Sequence, residues 1–367
     1  MSGPLASLKV IEFSGLGPAP LAGQLLADLG ADVITIDRKA MPLDVTDVNR
    51  RGKRSVVLDL KSDQGRAAAQ TLIAQSDVLI EAFRPGVMER LGLGPEEFPE
   101  TLIYARMTGW GQEGPWAHTA GHDINYLALT GALHAMGAKE EAPIPPMNLV
   151  ADYGGGTMFL IFGILSAVIE RGISGKGQVV DAAMVDGVPA MMGLIHSMLA
   201  NGGWSETRAS NWFDGGAPFY RCYTCLDGRF IAVGALEPQF YAILIDKLGL
   251  PAELCASQND RATWAARTAQ FAEIFATRTR DQWAVVFEGS DACVAPVLTF
   301  SEAPKHPQMA ARTSFLDTGG VTQSAPAPRF GRSDVGTPGP VGAIGADTAE
   351  VLHAAGLTAQ EIETLLP

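Results

Sequence analysis

The chain has 367 residues, 47% of them apolar and 18% charged, which is a globular rather than a disordered composition and about the length of two domains. Its 27 Lys and Arg against 40 Asp and Glu give a formal charge of −13, which excludes a general nucleic-acid binder with a broad basic face but not a binder of small anions. Four cysteines (Cys222, Cys225, Cys255 and Cys293) are too few for a disulfide framework in a chain of this length and point to a reducing compartment.

Met1 to Leu8 holds no cationic region followed by an apolar run, so no signal peptide is expected. Lys9 to Phe13 reads as a strand, Leu21 to Leu29 as a helix, and Asp32 to Asp37 as a second strand of β-branched residues. Val56 to Leu60 and Val78 to Ile80 continue the series around an Ala-rich helix at Gln64 to Gln75, and Leu102 to Arg106 is a fifth strand. This alternation predicts an α/β, Rossmann-like domain with a parallel sheet covered on both faces. Helices follow from about Asp123, over Tyr153 to Arg171, and from Met184 to about Ala200, with a short strand at Gln178 to Asp181. The longest apolar run, Thr157 to Ile169, is too short to span a bilayer and is expected as a buried helix without membrane insertion.

Residues 1–200 are thus expected to form the large domain, and 201–218, rich in Gly, Ser and Asn, a linker. Phe219 to Thr224 and Arg229 to Val233 flank Asp227-Gly228 as a hairpin, and helices cover Gln239 to Leu248 and Asp260 to Glu288. Residues 219–300 are therefore expected as a smaller α+β domain. The remainder, 301–367, is loop-like to Gly345 and closes with two short helices, the last opened by the capping box Thr358-x-x-Glu361. Thr364 to Pro367 carries no peroxisomal or ER-retention tripeptide, so a soluble cytoplasmic protein is expected.

Four patterns invite a function. Gly15-Leu-Gly17 after the first strand, with Asp37 ending the second, imitates a dinucleotide fingerprint; position 20 is Pro, however, and Pro18 and Pro20 remove N–H groups that a pyrophosphate would need. Cys222-Tyr-Thr-Cys225 is half a zinc ribbon without a second pair, and strand positions i and i+3 face opposite ways, so no metal is expected. Met184, Met191 and Met198 recur every seven residues, the pattern of a core seam that can also line an adaptable apolar pocket. Seven of the 27 basic residues fall between Arg38 and Lys61, four of them in Asn49-Arg-Arg-Gly-Lys-Arg54, which reads equally as a solvated loop or a phosphate clamp.

The chemistry concentrates at two helix starts. Ala120-Gly-His-Asp-Ile-Asn-Tyr126 places His122 at or near a helix N-terminus, where imidazole is kept available as a base. Val150-Ala-Asp-Tyr-Gly-Gly-Gly156 places Asp152 at the start of a long apolar helix, where a simple N-cap is the bland alternative. Together they supply two groups of different basicity that can face one substrate from opposite sides, the requirement of a two-base racemase. Main-chain N–H groups at those helix starts can stabilise a transient oxyanion.

These residues carry a resemblance. The chain resembles, nearly end to end, the α-methylacyl-CoA racemase branch of the family III CoA-transferase superfamily. The matching segments include Val10-Ile-Glu-Phe-Ser-Gly15, Leu26-Ala-Asp-Leu-Gly-Ala-Asp-Val33, Gly52-Lys-Arg-Ser-Val-Val-Leu-Asp-Leu-Lys61 and Phe83-Arg-Pro-Gly86. Thr108-Gly-Trp-Gly-Gln112, Gly175-Lys-Gly-Gln-Val-Val-Asp181 and Glu237-Pro-Gln-Phe240 match as well, and Gly121-His-Asp-Ile-Asn-Tyr126 is the most specific.

The resemblance implies cofactor-independent 1,1-proton transfer that interconverts (2R)- and (2S)-2-methylacyl-CoA thioesters through an enolate. His122 and Asp152 would exchange the protons, with Glu237 pairing with the histidine. It implies CoA or substrate contacts at Arg38, at Leu58, Asp59, Leu60 and Lys61, and at Gly121, Asp123, Ile124, Asn125 and Tyr126, with Arg84 and Arg90 as weaker candidates. It also implies an interlocked homodimer, leaving open which chain supplies Glu237, and a return of 301–367 to complete the large domain. The alternative on the same fold is a CoA-transferase with Asp152 as nucleophile. A third possibility, an inactive acyl-CoA binding protein, has no use for three titratable groups.

Overall fold

Short apolar, β-branched runs alternate with helix-forming stretches through the first half of the chain. They form β1 (Lys9–Phe13), α1 (Pro18–Asp28), β2 (Asp32–Asp37), β3 (Arg54–Val57), α2 (Asp63–Ala74), β4 (Val78–Glu81) and α3 (Val87–Arg90). β5 (Ile103–Thr108), α4 (Asp123–Leu129), α5 (Phe159–Ser174), β6 (Val179–Ala183) and α6 (Met184–Met191) follow. In this computed structural model, which describes residues 3–366, the strands form one parallel sheet in the order β3-β2-β1-β4-β5-β6. Met1, Ser2 and Pro367, on which the reading of the chain ends partly rests, lie outside the described residues.

Val78, Leu79 and Ile80 are wholly buried, as a strand covered on both faces requires. One core gathers Ile11, Phe13, Leu72, Ile73, Leu79 and Tyr104, together with Val351 and Leu352 from the far end of the chain. The strand order reverses between β1 and β4, which leaves a crevice at the carboxyl ends of the strands.

The chain divides into two units: Met1–Thr130, Met147–Met191 and Ala310–Pro367 in one, Gly131–Pro146 and Met192–Met309 in the other. The second holds α7 (Gly193–Ala200) and the antiparallel sheet of β7 (Tyr220–Thr224), β8 (Phe230–Gly234) and β9 (Val294–Pro296). It also holds α8 (Pro238–Lys247), α9 (Arg261–Phe275) and α10 (Arg280–Phe287). Its core is aromatic, built from Phe219, Tyr223, Tyr241, Trp264, Phe271, Phe275 and Trp283. After α11 (Pro307–Ala311) the chain adds a hairpin, β10 (Phe315–Thr318) and β11 (Val321–Ser324), then α12 (Thr348–Ala354) and α13 (Ala359–Leu365).

Several expectations are corrected. The domain edges fall at 191 and 309 rather than 200 and 300, and 131–146 leaves the large unit. The glycine-rich segment 201–218 is packed structure: buried Asn211 bonds Ser205 and Asp214, and Arg208 donates to the carbonyls of His134, Ala138 and Glu141. The helix expected from Met184 to Ala200 breaks at Met192, and of its methionine seam Met184 is buried whereas Met191 is exposed. The apolar run expected as a short buried helix belongs to a helical stretch of 26 residues, Leu149–Ser174, with only 28% of its most apolar window buried. By length and composition alone that stretch is sufficient to cross a membrane.

Candidate active site

At the reversal of strand order, the segments leaving β1, β4 and β5 enclose a cavity of about 550 Å³. Leu16 to Pro18, Ala82 to Pro85 and Thr108 to Trp110 form its walls, and His122, Tyr126 and Asp152 face into it. A larger cavity of about 910 Å³ lies in the second unit, and none of the expected catalytic residues lines it.

His122 is the N-cap of α4, in extended conformation. Its main-chain N–H donates to Asn125 Oδ1 at 3.1 Å, and its carbonyl accepts the N–H groups of Asn125 and Tyr126. The preceding loop is fixed by Tyr126, whose hydroxyl donates to the Gly121 carbonyl and whose ring meets Trp110 edge-on at 4.7 Å. Two glycines make room for that ring. A Cβ at Gly109 would lie 2.0 Å from it and one at Gly121 2.6 Å, distances no side chain tolerates. Burial and the negative charge of Asp152 raise the Tyr126 pKa, partly offset by Arg84, so the phenol stays a donor.

Asp152 stands in a wide π-helical stretch, Leu149–Met158, that runs directly into α5. The stretch is capped from outside. Asp123, the neighbour of His122, is buried, and its Oδ2 accepts the N–H groups of Ala151 at 2.9 Å and Asp152 at 2.8 Å. The Thr157 hydroxyl donates to the Pro18 carbonyl at 2.9 Å and so ties the stretch to the start of α1. Burial first, and then the charge of Asp123, lift the Asp152 carboxyl above its ordinary range; a bond from Asn148 and the nearby His122 pull it back only in part. The result is an exposed imidazole and a half-buried carboxylate of raised pKa around one cavity.

The structure brings together His122, Asp152, Arg84, Gly121 and Tyr126 of the expected residues. Asp123 serves from beneath: its Oδ2 accepts the two N–H groups, its buried Oδ1 has no hydrogen-bond partner among the described residues, and it does not line the cavity. Ile124 and Asn125 are exposed on α4, and Arg90 is exposed at the end of α3. Arg38, Asp59 and Lys61 are exposed where β2 and β3 end, Leu60 is partly buried, and the Leu58 side chain lies in the core, so only its main chain is free to meet a ligand. Glu237 is exposed at the N-cap of α8, in the second unit.

The basic cluster is corrected. Arg50 binds Asp37 through two bonds, Arg51 binds Asp28 likewise, Lys53 binds Glu12 at 2.6 Å, and Arg54 binds Asp32. All four basic residues of 49–54 therefore neutralise carboxylates within the fold and are not a phosphate clamp. Arg38, Lys39 and Lys61 make no ion pair among the described residues and are exposed.

The reading of the sequence missed Leu16 to Pro18, set aside as an imperfect nucleotide loop, and Thr108 to Trp110. Both were visible as glycine-bearing turns directly after strands, which is where a doubly wound sheet holds its ligand.

The family model that matches the chain describes CoA-transferase family III and covers residues 5–348. α-Methylacyl-CoA racemase of Mus musculus is 45% identical over 369 residues, 98% of this chain and 95% of the relative. That of Homo sapiens is 43% identical over 98% of this chain and 96% of the relative. Among solved structures, a CAIB/BAIF family protein from Brucella suis superposes with a TM-score of 0.81 at 27% identity, covering 97% of this chain and all of that one (100%).

Proposed function

We propose that this chain, which belongs to CoA-transferase family III, interconverts (2R)- and (2S)-2-methylacyl-CoA thioesters by taking a proton from C2 on one face and returning it on the other. The observation that carries this reading is the placement of His122 and Asp152, from two separate helix starts, around one cavity. The thioester carbonyl acidifies the hydrogen at C2, so no cofactor is needed to form the enolate. One of the two groups removes that proton as general base, and the other, protonated, delivers its own to the opposite face. The raised pKa of Asp152 brings its two protonation states closer in energy near neutral pH, which suits a group that must act as base in one direction and acid in the other. Glu237 would orient the imidazole and support its charged form.

The polyphosphate of CoA would meet the exposed cations Arg38, Lys61, Arg84 and Arg90, with the main chain at Leu58 to Lys61 as a further contact. An interlocked homodimer in the cytoplasm completes the reading, with Glu237 from either chain. The exposed Phe162, Ile169 and Ile173 on α5 support burial against a second copy rather than insertion in lipid. In lipid, Arg171 near the end of the same helix would have to give up its bonds to Asp77 and the Thr101 carbonyl.

Incubation with one enantiomer of a 2-methylacyl-CoA in D₂O tests the proposal. Deuterium at C2 together with the opposite configuration is expected. Absence of both refutes it, and transfer of CoA to a free carboxylate with hydroxylamine trapping of Asp152 would establish the transferase instead.

A further inference from the structure

The sheet register sets Glu81 of β4 beside Arg106 of β5, and Arg106 beside Asp181 of β6, so three ionisable side chains form one row across three strands. None of them lines the cavity, and the proposed proton transfer makes no use of them. Glu81 and Arg106 are buried, an expensive placement for charged groups. Yet each member of the row reaches a segment around the cavity. Glu81 Oε2 accepts the Phe83 N–H at 2.8 Å, in the turn that carries Phe83 and Arg84. Arg106 donates to Gln112 Oε1 at 2.8 Å and to Glu89 Oε1 at 2.5 Å, in the loop after β5 and in α3. Asp181 Oδ2 accepts the Gln112 N–H at 3.2 Å. The Arg106 Nε makes no hydrogen bond among the described residues and faces Glu81 Oε1 at 3.8 Å.

We propose that Glu81 is a positioning residue for acyl-CoA binding: as a carboxylate it holds the Phe83 N–H and seats Arg84 against the anionic ligand, and on protonation it loosens that turn. The inference rests on the acyl-CoA reading of the cavity and adds to it a residue and a pH dependence. A carboxylate accepts a main-chain N–H about twice as strongly as a neutral acid does, so the bond weakens when the proton arrives. Burial lifts Glu81 to about 7; its bond from Phe83 and the charge of Arg106 oppose the rise, whereas Glu89 of α3 and Asp181 of β6 add to it. Those are the charged groups that face it from β5, α3 and β6. The neighbouring Tyr104 phenol is itself pushed up by burial and Glu81 and stays protonated.

The test is KM for a 2-methylacyl-CoA and the rate of C2 deuterium exchange at pH values on both sides of 7, with two variants. In the wild type KM should rise about threefold to tenfold as pH falls through the Glu81 midpoint, with little change in kcat. Glu81→Gln keeps an acceptor for the Phe83 N–H, loses the titration, and should abolish the step; ionisation of the thioester's own phosphates is common to both proteins and cancels in their ratio. Asp181→Asn leaves Glu81 in place and removes a negative neighbour, so it should move the step to lower pH. A step unaltered by Glu81→Gln, or a change in KM equal at every pH, overturns the inference. If Glu81→Gln does not fold, Asp181→Asn decides: a moved step supports it and an unmoved one overturns it. Wild-type protein that neither binds nor exchanges refutes the acyl-CoA reading and this inference with it, whereas intact exchange with an unaltered step refutes this inference alone.

Discussion

The carboxylate of Asp123 accepts the main-chain N–H of Asp152 at 2.8 Å, and that of Ala151 at 2.9 Å. Asp123 follows His122 in the chain, so a single buried side chain sets the distance between the imidazole and the carboxylate across the cavity.

Asp123→Ala should therefore damage catalysis without removing either base. Each lost bond to a charged acceptor is worth about 1.5–3 kcal/mol, and a shift of about 1 Å between reacting groups costs on the order of a hundredfold in rate. Deuterium exchange and a thermal melt should both fall. Asp123→Asn, which keeps an oxygen for the two N–H groups, should recover most of the stability.

The raised carboxyl of Asp152 gives two pH effects of known sign. Exchange that uses Asp152 as base falls as pH drops through its raised value, and Asp123→Asn, by removing a negative neighbour, should move that limb to lower pH. For stability, the folded chain holds a proton on Asp152 that the unfolded chain has already released. The contribution is present below the ordinary Asp value and is lost as pH rises through the raised one. Asp152→Asn should therefore be more stable than wild type above that window and no more stable below it, as measured by urea unfolding at the two pH values.

Gly109→Ala forces the Tyr126 ring away, because the new Cβ would sit 2.0 Å from it. The hydroxyl then leaves the Gly121 carbonyl and the loop before His122 loosens. A loss of exchange of about tenfold or more is expected, together with a change in indole fluorescence from Trp110, which meets the same ring at 4.7 Å.

Arg51→Met tests what the basic cluster does. Arg51 is fully buried, bonds both oxygens of Asp28 at 3.0 and 2.6 Å, and also donates to Gln323 Oε1 at 2.7 Å. The single variant leaves Asp28 buried and uncompensated, a loss of about 3–5 kcal/mol; adding Asp28→Leu should restore most of it. Urea midpoints measure both, and CoA-ester affinity in the double variant should stay near wild type.

That last contrast marks where the sequence misleads. Counting charges finds Arg50, Arg51, Lys53 and Arg54 but not their partners Asp37, Asp28, Glu12 and Asp32, which come from β1, α1 and β2 and meet them only once the sheet has formed. The strands were legible because each is a short apolar run between turn residues, and His122 and Asp152 because glycine-flanked polar groups at helix starts are rare enough to notice. Glu81 was not legible: Val78 to Ile80 reads as a complete strand, and only the register with Arg106 gives the next residue a role. The break at Met192 was announced by Pro189, which lies inside α6 and removes an intrahelical N–H bond, but a seven-residue methionine spacing continues across it and masks the signal.

The bond from Arg51 to Gln323 joins residues 272 positions apart, and Val351 and Leu352 fill the same core as Ile11. During synthesis the six strands are made long before the residues that complete the bonding of Arg51 and seal the core. The nascent large unit must therefore wait, with Arg51 incompletely bonded and apolar surface open, until β11 and α12 clear the ribosome. Fragments that stop after the second unit should be insoluble although they contain every residue facing the cavity, and dependence on chaperones should be greatest late in translation.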